Sequence, residues 1–199
     1  LSLCNKNMVK METTKITDKN DLLADVCLAA NHEGQSIKTH LEQYDLKYPS
    51  GSGHTTCTAL ARSFADIGDI VRGKDLYGGG GRGRKKLEDN LKTIFKKIYD
   101  NLVQNKKDAE DHYKDDGGNF LKLREDWWEA NRKEVWKALT CDDEDKKLKD
   151  ASYFRPTCDS SDEKGPSVAQ NQCRCKDKKT GKNTDQVPTY FDYVPQFLR

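Results

Sequence analysis

Residues Leu60–Leu76 read LARSFADIGDIVRGKDL, and their spacing decides the fold of the chain. Apolar residues recur there at steps of four, three and four, which predicts the buried stripe of an amphipathic helix: Leu60, Phe64, Ile67 and Val71. Gly68 lies inside the pattern, where glycine costs about 1 kcal/mol against alanine, so it predicts a point at which another helix packs closely. Gly73 predicts the end of the helix.

The charged residues of the same helix are expected to form its solvated face, since charge runs are rarely buried. They are Arg62, Asp66, Asp69, Arg72, Lys74 and Asp75. The glycine-rich run from Gly78 to Arg84 is expected to be a loop, because so many glycines disfavour a helix.

Three further stretches show helical spacing. The first runs to about Tyr44, with Asp18 or Asn20 as its N-cap and Gly34 as an expected interruption. The second carries the stripe Leu87, Leu91, Ile94, Phe95, Ile98 and Leu102. The third runs from about Asn119 to Leu139 and holds Trp127, Trp128 and Trp136, which are expected in the core. Four amphipathic helices with long loops predict an all-α bundle.

Seven cysteines indicate a chain stapled by disulfides in an oxidising compartment. Cys27 and Cys141 are expected to pair, because both flank the same predicted apolar layer. Cys57 is expected to pair with one of three candidates, Cys158, Cys173 or Cys175. A zinc site at Cys173 and Cys175 is disfavoured because one intervening residue is poor geometry for two ligands.

The composition limits the classes of function. Hydrophobic residues make up 34% of the chain and charged residues another 34%, with a net charge of +2. Whole-chain charge therefore does not predict nucleic-acid binding. Gly78, Gly80 and Gly83 match a dinucleotide fingerprint by letter, but the helix that precedes them excludes the required strand. We find no catalytic constellation and expect neither an enzyme nor a bound cofactor or metal.

Four blocks of the sequence carry a resemblance to a known family. They are DLLADVCLAANHEG (Asp21–Gly34), ARSFADIGDIVRGKDL (Ala61–Leu76), LREDWWEANRKEVWKALTC (Leu123–Cys141) and YFDYVPQFLR (Tyr190–Arg199). In this order they resemble the Duffy-binding-like domains, alpha class, of the Plasmodium falciparum erythrocyte membrane protein family.

The resemblance implies a division of the chain and a role for it. Residues 1–18 would be the tail of a first subdomain and residues 19–199 the helical second subdomain, with the third absent. Cys4 would pair with a cysteine before Leu1. The domain would lie outside the infected erythrocyte, as part of a variant surface antigen anchored in the membrane elsewhere in its chain. It would bind host red-cell or endothelial receptors, either proteins or glycans such as heparan sulfate and blood-group sugars, in rosetting or cytoadherence.

Two basic clusters are candidate glycan sites, since spaced cations match the sulfates of such chains. The first is expected to carry the binding and comprises Arg82, Arg84, Lys85, Lys86, Lys92, Lys96 and Lys97, with the two arginines as a mobile flank. At 100° per residue, Lys85, Lys92 and Lys96 share one side of a helix. The second cluster is Lys176, Lys178, Lys179 and Lys182. The alternative role is that of an antigenically variable scaffold recognised by antibodies, with adhesion carried by neighbouring domains.

Overall fold

A computed structural model describes residues 6–47, 54–76, 82–106, 108–113, 117–141, 148–158, 165–177 and 179–199. Within these ranges the helices are α1 (Lys6–Val9), α2 (Lys19–Lys47), α3 (His54–Arg72), α4 (Arg82–Asn105), α5 (Asp108–His112) and α6 (Leu121–Leu139). Two short strands, β1 (Pro156–Cys158) and β2 (Ser167–Val168), pair antiparallel, and 3-10 turns follow at Phe191–Tyr193 and Gln196–Leu198. The prediction of a helical bundle with long irregular segments is confirmed.

Helices α2 and α6 lie side by side and run in the same direction. Trp127 Nε1 donates to the carbonyl of Lys19 over 3.2 Å, and further along Lys38 Nζ donates to the carbonyl of Cys141. Gly34 does not interrupt α2, so that expectation is wrong. A Cβ atom at Gly34 would stand 2.0 Å from the carbonyl oxygen of Leu139, so this glycine lets the end of α6 approach α2.

Helix α3 packs its predicted stripe into the core. Leu60, Phe64, Ile67 and Val71 are all buried. A Cβ atom at Gly68 would stand 2.8 Å from Cζ2 of Trp128, which confirms the predicted close approach and names its partner. Trp127 and Trp136 are buried as well, so the prediction for all three tryptophans holds.

The N-terminus of α2 and the C-terminus of α3 are capped by residues that the sequence predicted. Asp18 Oδ1 accepts from the amides of Asn20 at 2.6 Å and Asp21 at 3.0 Å, so Asp18 is the N-cap of α2. Gly73 has φ of +72° and ends α3 in a Schellman motif. The amide of Gly73 donates to the carbonyl of Ile70, and that of Lys74 donates to the carbonyl of Asp69.

Helix α4 begins within the stretch that was predicted to be a loop. Arg82, Gly83 and Arg84 are helical, so the loop prediction is wrong for these three residues. Residues 77–81 lie outside the described residues. The stripe of α4 is buried from Leu87 to Ile98, and Leu102 packs against its edge.

Two disulfides hold the irregular segment that follows α6. Cys57 of α3 bonds to Cys173, one of its three candidate partners, and Cys158 bonds to Cys175. Because all three cysteines of the segment are oxidised, none of them can serve as a zinc thiolate. Cys4 lies outside the described residues.

The predicted bridge between Cys27 and Cys141 is not formed, and that prediction is wrong. Cys141 lies next to Lys38, which is eleven residues beyond Cys27 on α2. Eleven helical residues rise by about 16 Å, whereas a disulfide joins Cα atoms roughly 4.4–6.8 Å apart. Burial, and then the charge of Glu134, raise the pKa of the Cys27 thiol to about 11.

None of the helices in the described part of the chain is long and apolar enough to span a bilayer.

Candidate ligand-binding surface

The outward side of α4 carries the predicted row of lysines. Lys85 and Lys96 are exposed and Lys92 is partly buried, while the opposite side of the helix lies in the core. The geometry that the helical wheel predicted for these three residues is therefore present. We call Lys85, Lys92 and Lys96 the outer row.

Carboxylates on the same helix weaken the field of the outer row. Lys85 Nζ lies 3.4 Å from Asp89 Oδ2, and Lys96 Nζ lies 2.9 Å from Asp100 Oδ2. Both pairs are spaced by four residues and exposed, so each contributes little to stability. A polyanion at the row must nevertheless approach these two carboxylates together with the ammonium groups.

Two cations of the predicted cluster are held within the protein. Lys97 Nζ donates to the carbonyls of Thr13 and Ile16, at 3.3 Å for the second. Arg84 Nη2 donates to the carbonyl of Asp75, and its Nε lies 3.7 Å from the carboxylate of the same residue. The expected mobile flank is therefore wrong for Arg84, because its guanidinium is bound to the chain beyond α3. The side chain of Arg82 lies outside the described residues.

Lys86, the remaining member of the cluster, is exposed on α4, one turn before Asn90, whose side chain bonds to the carbonyl of Val9. The second basic cluster sits on a tight turn after the disulfides. Asp177 Oδ1 accepts from the amides of Lys179 and Thr180 at 3.0 Å and 2.7 Å. Lys179 and Lys182 are exposed there, and Lys178 lies outside the described residues.

Two charged residues of α3 contradict the predicted solvated face, whereas Arg62 and Lys74 are exposed as predicted. Asp69 and Arg72 are buried, at 3% and 2% exposure, and their side chains pair at 3.1 Å. Arg72 also donates to the backbone carbonyl of Asp192 and lies 3.1 Å from Glu125 Oε1. Periodicity counts charged residues as exposed, so it missed a pair that is buried by a segment 120 residues later.

The carboxylate of Asp192 is the centre of this buried cluster. It accepts from Arg132 Nε at 2.7 Å, from Arg132 Nη2 at 2.8 Å and from Trp128 Nε1 at 3.0 Å. Arg199 reaches Asp66 and Asp69 from the same end of the chain. The signature of α3, the tryptophan block of α6 and the closing aromatic block thus meet in one ion cluster, which positions the helices. Its centre at Asp192 is buried, while Asp66 and Glu125 at its edge are partly exposed.

A groove of about 490 Å³ lies between the end of α4 and α5. It is lined by Leu102, Lys106, Asp108, Ala109, His112 and Tyr113. Lys122 Nζ lies 3.2 Å from both Nδ1 and the carbonyl oxygen of His112, and Asp126 lies on the other side of that ring at 3.7 Å. Since charges of both signs alternate here, the groove suits a sulfated chain less well than α4 does.

Within the described ranges, no three His, Cys, Asp or Glu side chains converge as a metal site would require.

Comparison with known proteins identifies the relatives of the chain. The profile of the Duffy binding domain matches residues 1–199. A PfEMP1 DBLbeta domain solved in complex with human ICAM-1 is 32% identical, with a TM-score of 0.54 over 88% of this chain and 30% of that one. The ICAM-1-binding IT4var13 DBLbeta domain of PfEMP1 is 30% identical, with a TM-score of 0.63 over 98% of this chain and 39% of that one. No protein with a curated description matches.

The same IT4var13 domain bound to ICAM-1 is 27% identical with a TM-score of 0.65, and the match covers 98% of this chain and 40% of that one. The chain thus spans less than half the length of each of these solved chains. The alpha class stays a prediction, since the matched profile describes the Duffy binding domain as a whole and these three structures are DBLbeta domains.

Proposed function

Because this chain belongs to the Duffy binding domain family, we propose that it is an adhesion module that binds a host receptor at the surface of the infected erythrocyte. The observation that carries the proposal is the match of the family profile to all 199 residues. The solved PfEMP1 relatives are described as bound to ICAM-1, which is a host protein, and this supports adhesion as the role. The two disulfides agree with an extracellular location.

The ligand class that we propose is a sulfated glycan of the heparan sulfate type, bound through α4. The support is local, since the net charge of the chain is only +2. The outer row places three ammonium groups on one rigid helix, over a length of about 16 Å at 1.5 Å per residue. Regularly spaced cations release counterions when they bind a linear polyanion, so affinity falls steeply with salt.

Chromatography on immobilised heparin tests this ligand class. The chain should be retained at physiological salt and should elute at a lower salt concentration after Lys85→Ala, Lys92→Ala and Lys96→Ala are combined. The matched control replaces Lys176, Lys179 and Lys182 with alanine, which removes the same charge from the second cluster. Elution of the unaltered chain below physiological salt would refute glycan binding. A larger loss in the control would move the site to the second cluster.

A receptor protein is the second candidate ligand, favoured by the relatives in complex with ICAM-1. Surface plasmon resonance on immobilised ICAM-1, with and without soluble heparin, separates the two. Binding to ICAM-1 that heparin does not compete would favour a protein receptor. An absence of binding to either ligand would favour the scaffold role, in which neighbouring domains carry adhesion. Rosetting and blood-group sugars remain predictions from the family resemblance.

A further inference from the structure

The segment 6–18 lies along α4 and runs in the same direction as the helix. Asn90 Nδ2 donates to the carbonyl of Val9 over 3.4 Å, and Asn101 Nδ2 donates to the carbonyl of Thr17 over 3.1 Å. Between them Lys97 donates to the carbonyls of Thr13 and Ile16. Three positions of α4, each about one or two turns from the next, thus fasten this segment to the helix.

The core holds the same segment from the other side. Met8 is fully buried, and Met11 and Ile16 are 7% and 4% exposed within the main hydrophobic cluster. Asn7 Nδ2 also donates to the carbonyl of Asp25 in α2 over 2.9 Å. The backbone that carries the neighbouring lysines is therefore ordered before a ligand arrives, so binding does not have to order this part of the backbone.

Exposed lysines of both elements lie near this contact. Lys6 is the first residue of α1 and Lys10 follows its last residue, and both are exposed. Lys86 is exposed one turn before Asn90, the residue that bonds to Val9. We call Lys6, Lys10 and Lys86 the α1–α4 seam. In the described part of the chain none of the three enters an ion pair, whereas two of the three lysines of the outer row do.

Acidic residues lie near the seam, but the exposed ones are paired with other lysines. Asp89, three residues after Lys86 on α4, lies 3.4 Å from Lys85 Nζ. Glu12 is the acidic residue that follows α1, and its carboxylate is paired with Lys15 at 2.8 Å. The carbonyl of Asp25 in α2 bonds to Asn7 of α1, and the Asp25 side chain is partly buried. The ammonium groups of the seam are consequently less neutralised by paired carboxylates than those of the outer row.

We propose that a linear sulfated polysaccharide binds mainly along the α1–α4 seam and only secondarily along the outer row. The inference rests on the proposed glycan binding. It assigns that binding to Lys86 on α4 and to Lys6 and Lys10, which precede α2. The spacing suits an extended chain, because Lys6 and Lys10 are one helical turn apart, about 6 Å at 1.5 Å per residue, and Lys86 continues the line onto α4. A sugar chain that follows the seam contacts two elements that are already fixed to each other.

The test compares two triple variants of equal charge on immobilised heparin. The seam variant combines Lys6→Ala, Lys10→Ala and Lys86→Ala, and the row variant combines Lys85→Ala, Lys92→Ala and Lys96→Ala. The slope of log affinity against log salt should fall by about 2 to 3 in the seam variant, from about 0.7–0.9 per released contact, and by less in the row variant. Thermal unfolding of each variant checks that the fold is kept.

The outcomes distinguish glycan binding by the chain from the location of that binding at the seam. An equal or larger loss in the row variant overturns the seam and leaves glycan binding intact. Failure of the unaltered chain to bind heparin refutes the glycan proposal itself, and the seam with it. A seam variant that unfolds is replaced by Lys6→Gln, Lys10→Gln and Lys86→Gln, which remove the charge and keep most of each side chain. Affinity equal to that of the unaltered chain then overturns the seam.

Discussion

Gly68 illustrates what one residue in a sequence can and cannot predict. A glycine inside a helical stripe predicts that something approaches closely, because nothing else offsets its cost in a helix. The spacing does not say what approaches. In the fold, the partner is the indole of Trp128, whose Nε1 is at the same time bonded to Asp192. The indole therefore cannot move aside without breaking a buried hydrogen bond.

Gly68→Ala is expected to lower the free energy of unfolding by about 1–3 kcal/mol, the usual cost of overpacking. The added Cβ would stand 2.8 Å from Trp128 Cζ2. Gly83→Ala is the matched control, since its Cβ would meet nothing within 4 Å and the residue is also helical. Urea unfolding measures both. Equal effects of the two substitutions would show that Trp128 yields freely to the methyl group.

The charged residues of α3 could not be placed from the sequence. Asp69 and Arg72 stand at spacings that a solvated face also shows, and the groups that bury them come from residue 192 and beyond. An ion pair three residues apart has the same sequence pattern whether it is buried or exposed. The apolar stripe was predictable because it obeys a local rule, whereas the ion cluster depends on contacts between distant parts of the chain.

At the scale of the element, α2 begins in a reciprocal cap. Asp18 accepts from the amides of the first turn, and Asp21 Oδ2 in return accepts from the amide and hydroxyl of Thr17 at 2.8 Å and 2.9 Å. These bonds, with that from the amide of Asp18, lower the pKa of Asp21 below its ordinary value. The sequence predicted Asp18 as the cap, but the return bond needs the turn geometry of Thr17.

The first turn of α2 should accordingly loosen in acid. A carboxylate whose pKa is lower in the folded state stabilises that state above its unfolded pKa, about 3.9 for aspartate. This contribution is lost as the pH falls through the folded pKa. Hydrogen exchange should show that the amides of Thr17 and Asp18, which bond to the Asp21 carboxylate, lose protection between about pH 5 and pH 3, and that Asp21→Ala removes this pH dependence. Glu129→Ala, an exposed change on α6, should leave it in place.

The register between α2 and α6 explains why the predicted bridge between Cys27 and Cys141 is not formed. Both cysteines flank the layer between α2 and α6, as the spacing indicated, but a pattern on each helix does not state the register between two helices. The bond from Lys38 places Cys141 beside the later part of α2, and the influence of Glu134 places Cys27 beside the middle of α6. Periodicity predicts which side of a helix is buried. It does not predict the axial position of one helix relative to the helix that it packs against.

At the scale of the molecule, the two disulfides constrain very different lengths of chain. Cys57 and Cys173 are 116 residues apart, and Cys158 and Cys175 are 17 apart. The first joins α3 to the irregular segment after α6, while the second closes a loop within that segment. The long bridge therefore lowers the conformational entropy of the unfolded chain more than the short bridge does.

Replacing both cysteines of a bridge with alanine measures this difference. Loss of the Cys57–Cys173 bridge should cost about 5 kcal/mol by chain entropy and loss of the Cys158–Cys175 bridge about 3 kcal/mol. All four cysteines are fully buried, so the change in packing is similar for both pairs. Urea unfolding under non-reducing conditions gives the comparison. An equal or reversed order would show that native contacts, and not loop length, determine the stabilisation.

The family could be identified from the sequence because four blocks appear in order, and the profile match over the whole chain agrees. The binding surface could be predicted only in part. Lys85, Lys92 and Lys96 share one side of α4 because of their helical spacing alone, so their arrangement could be predicted from the sequence. The contact between α4 and the segment that carries Lys6 and Lys10 has no periodic signal in the sequence, so it could not be predicted.

The pairing of Arg132 with Asp192 has a consequence for the order of events during synthesis. The two residues are 60 positions apart, and Asp192 belongs to the closing block of the sequence. A ribosome completes α6 well before this carboxylate exists, so a nascent chain that packs α6 against α3 early would bury a guanidinium without a counterion. That costs several kcal/mol. We therefore expect that α6 packs fully against α3 only after the residues around Asp192 have emerged from the ribosome.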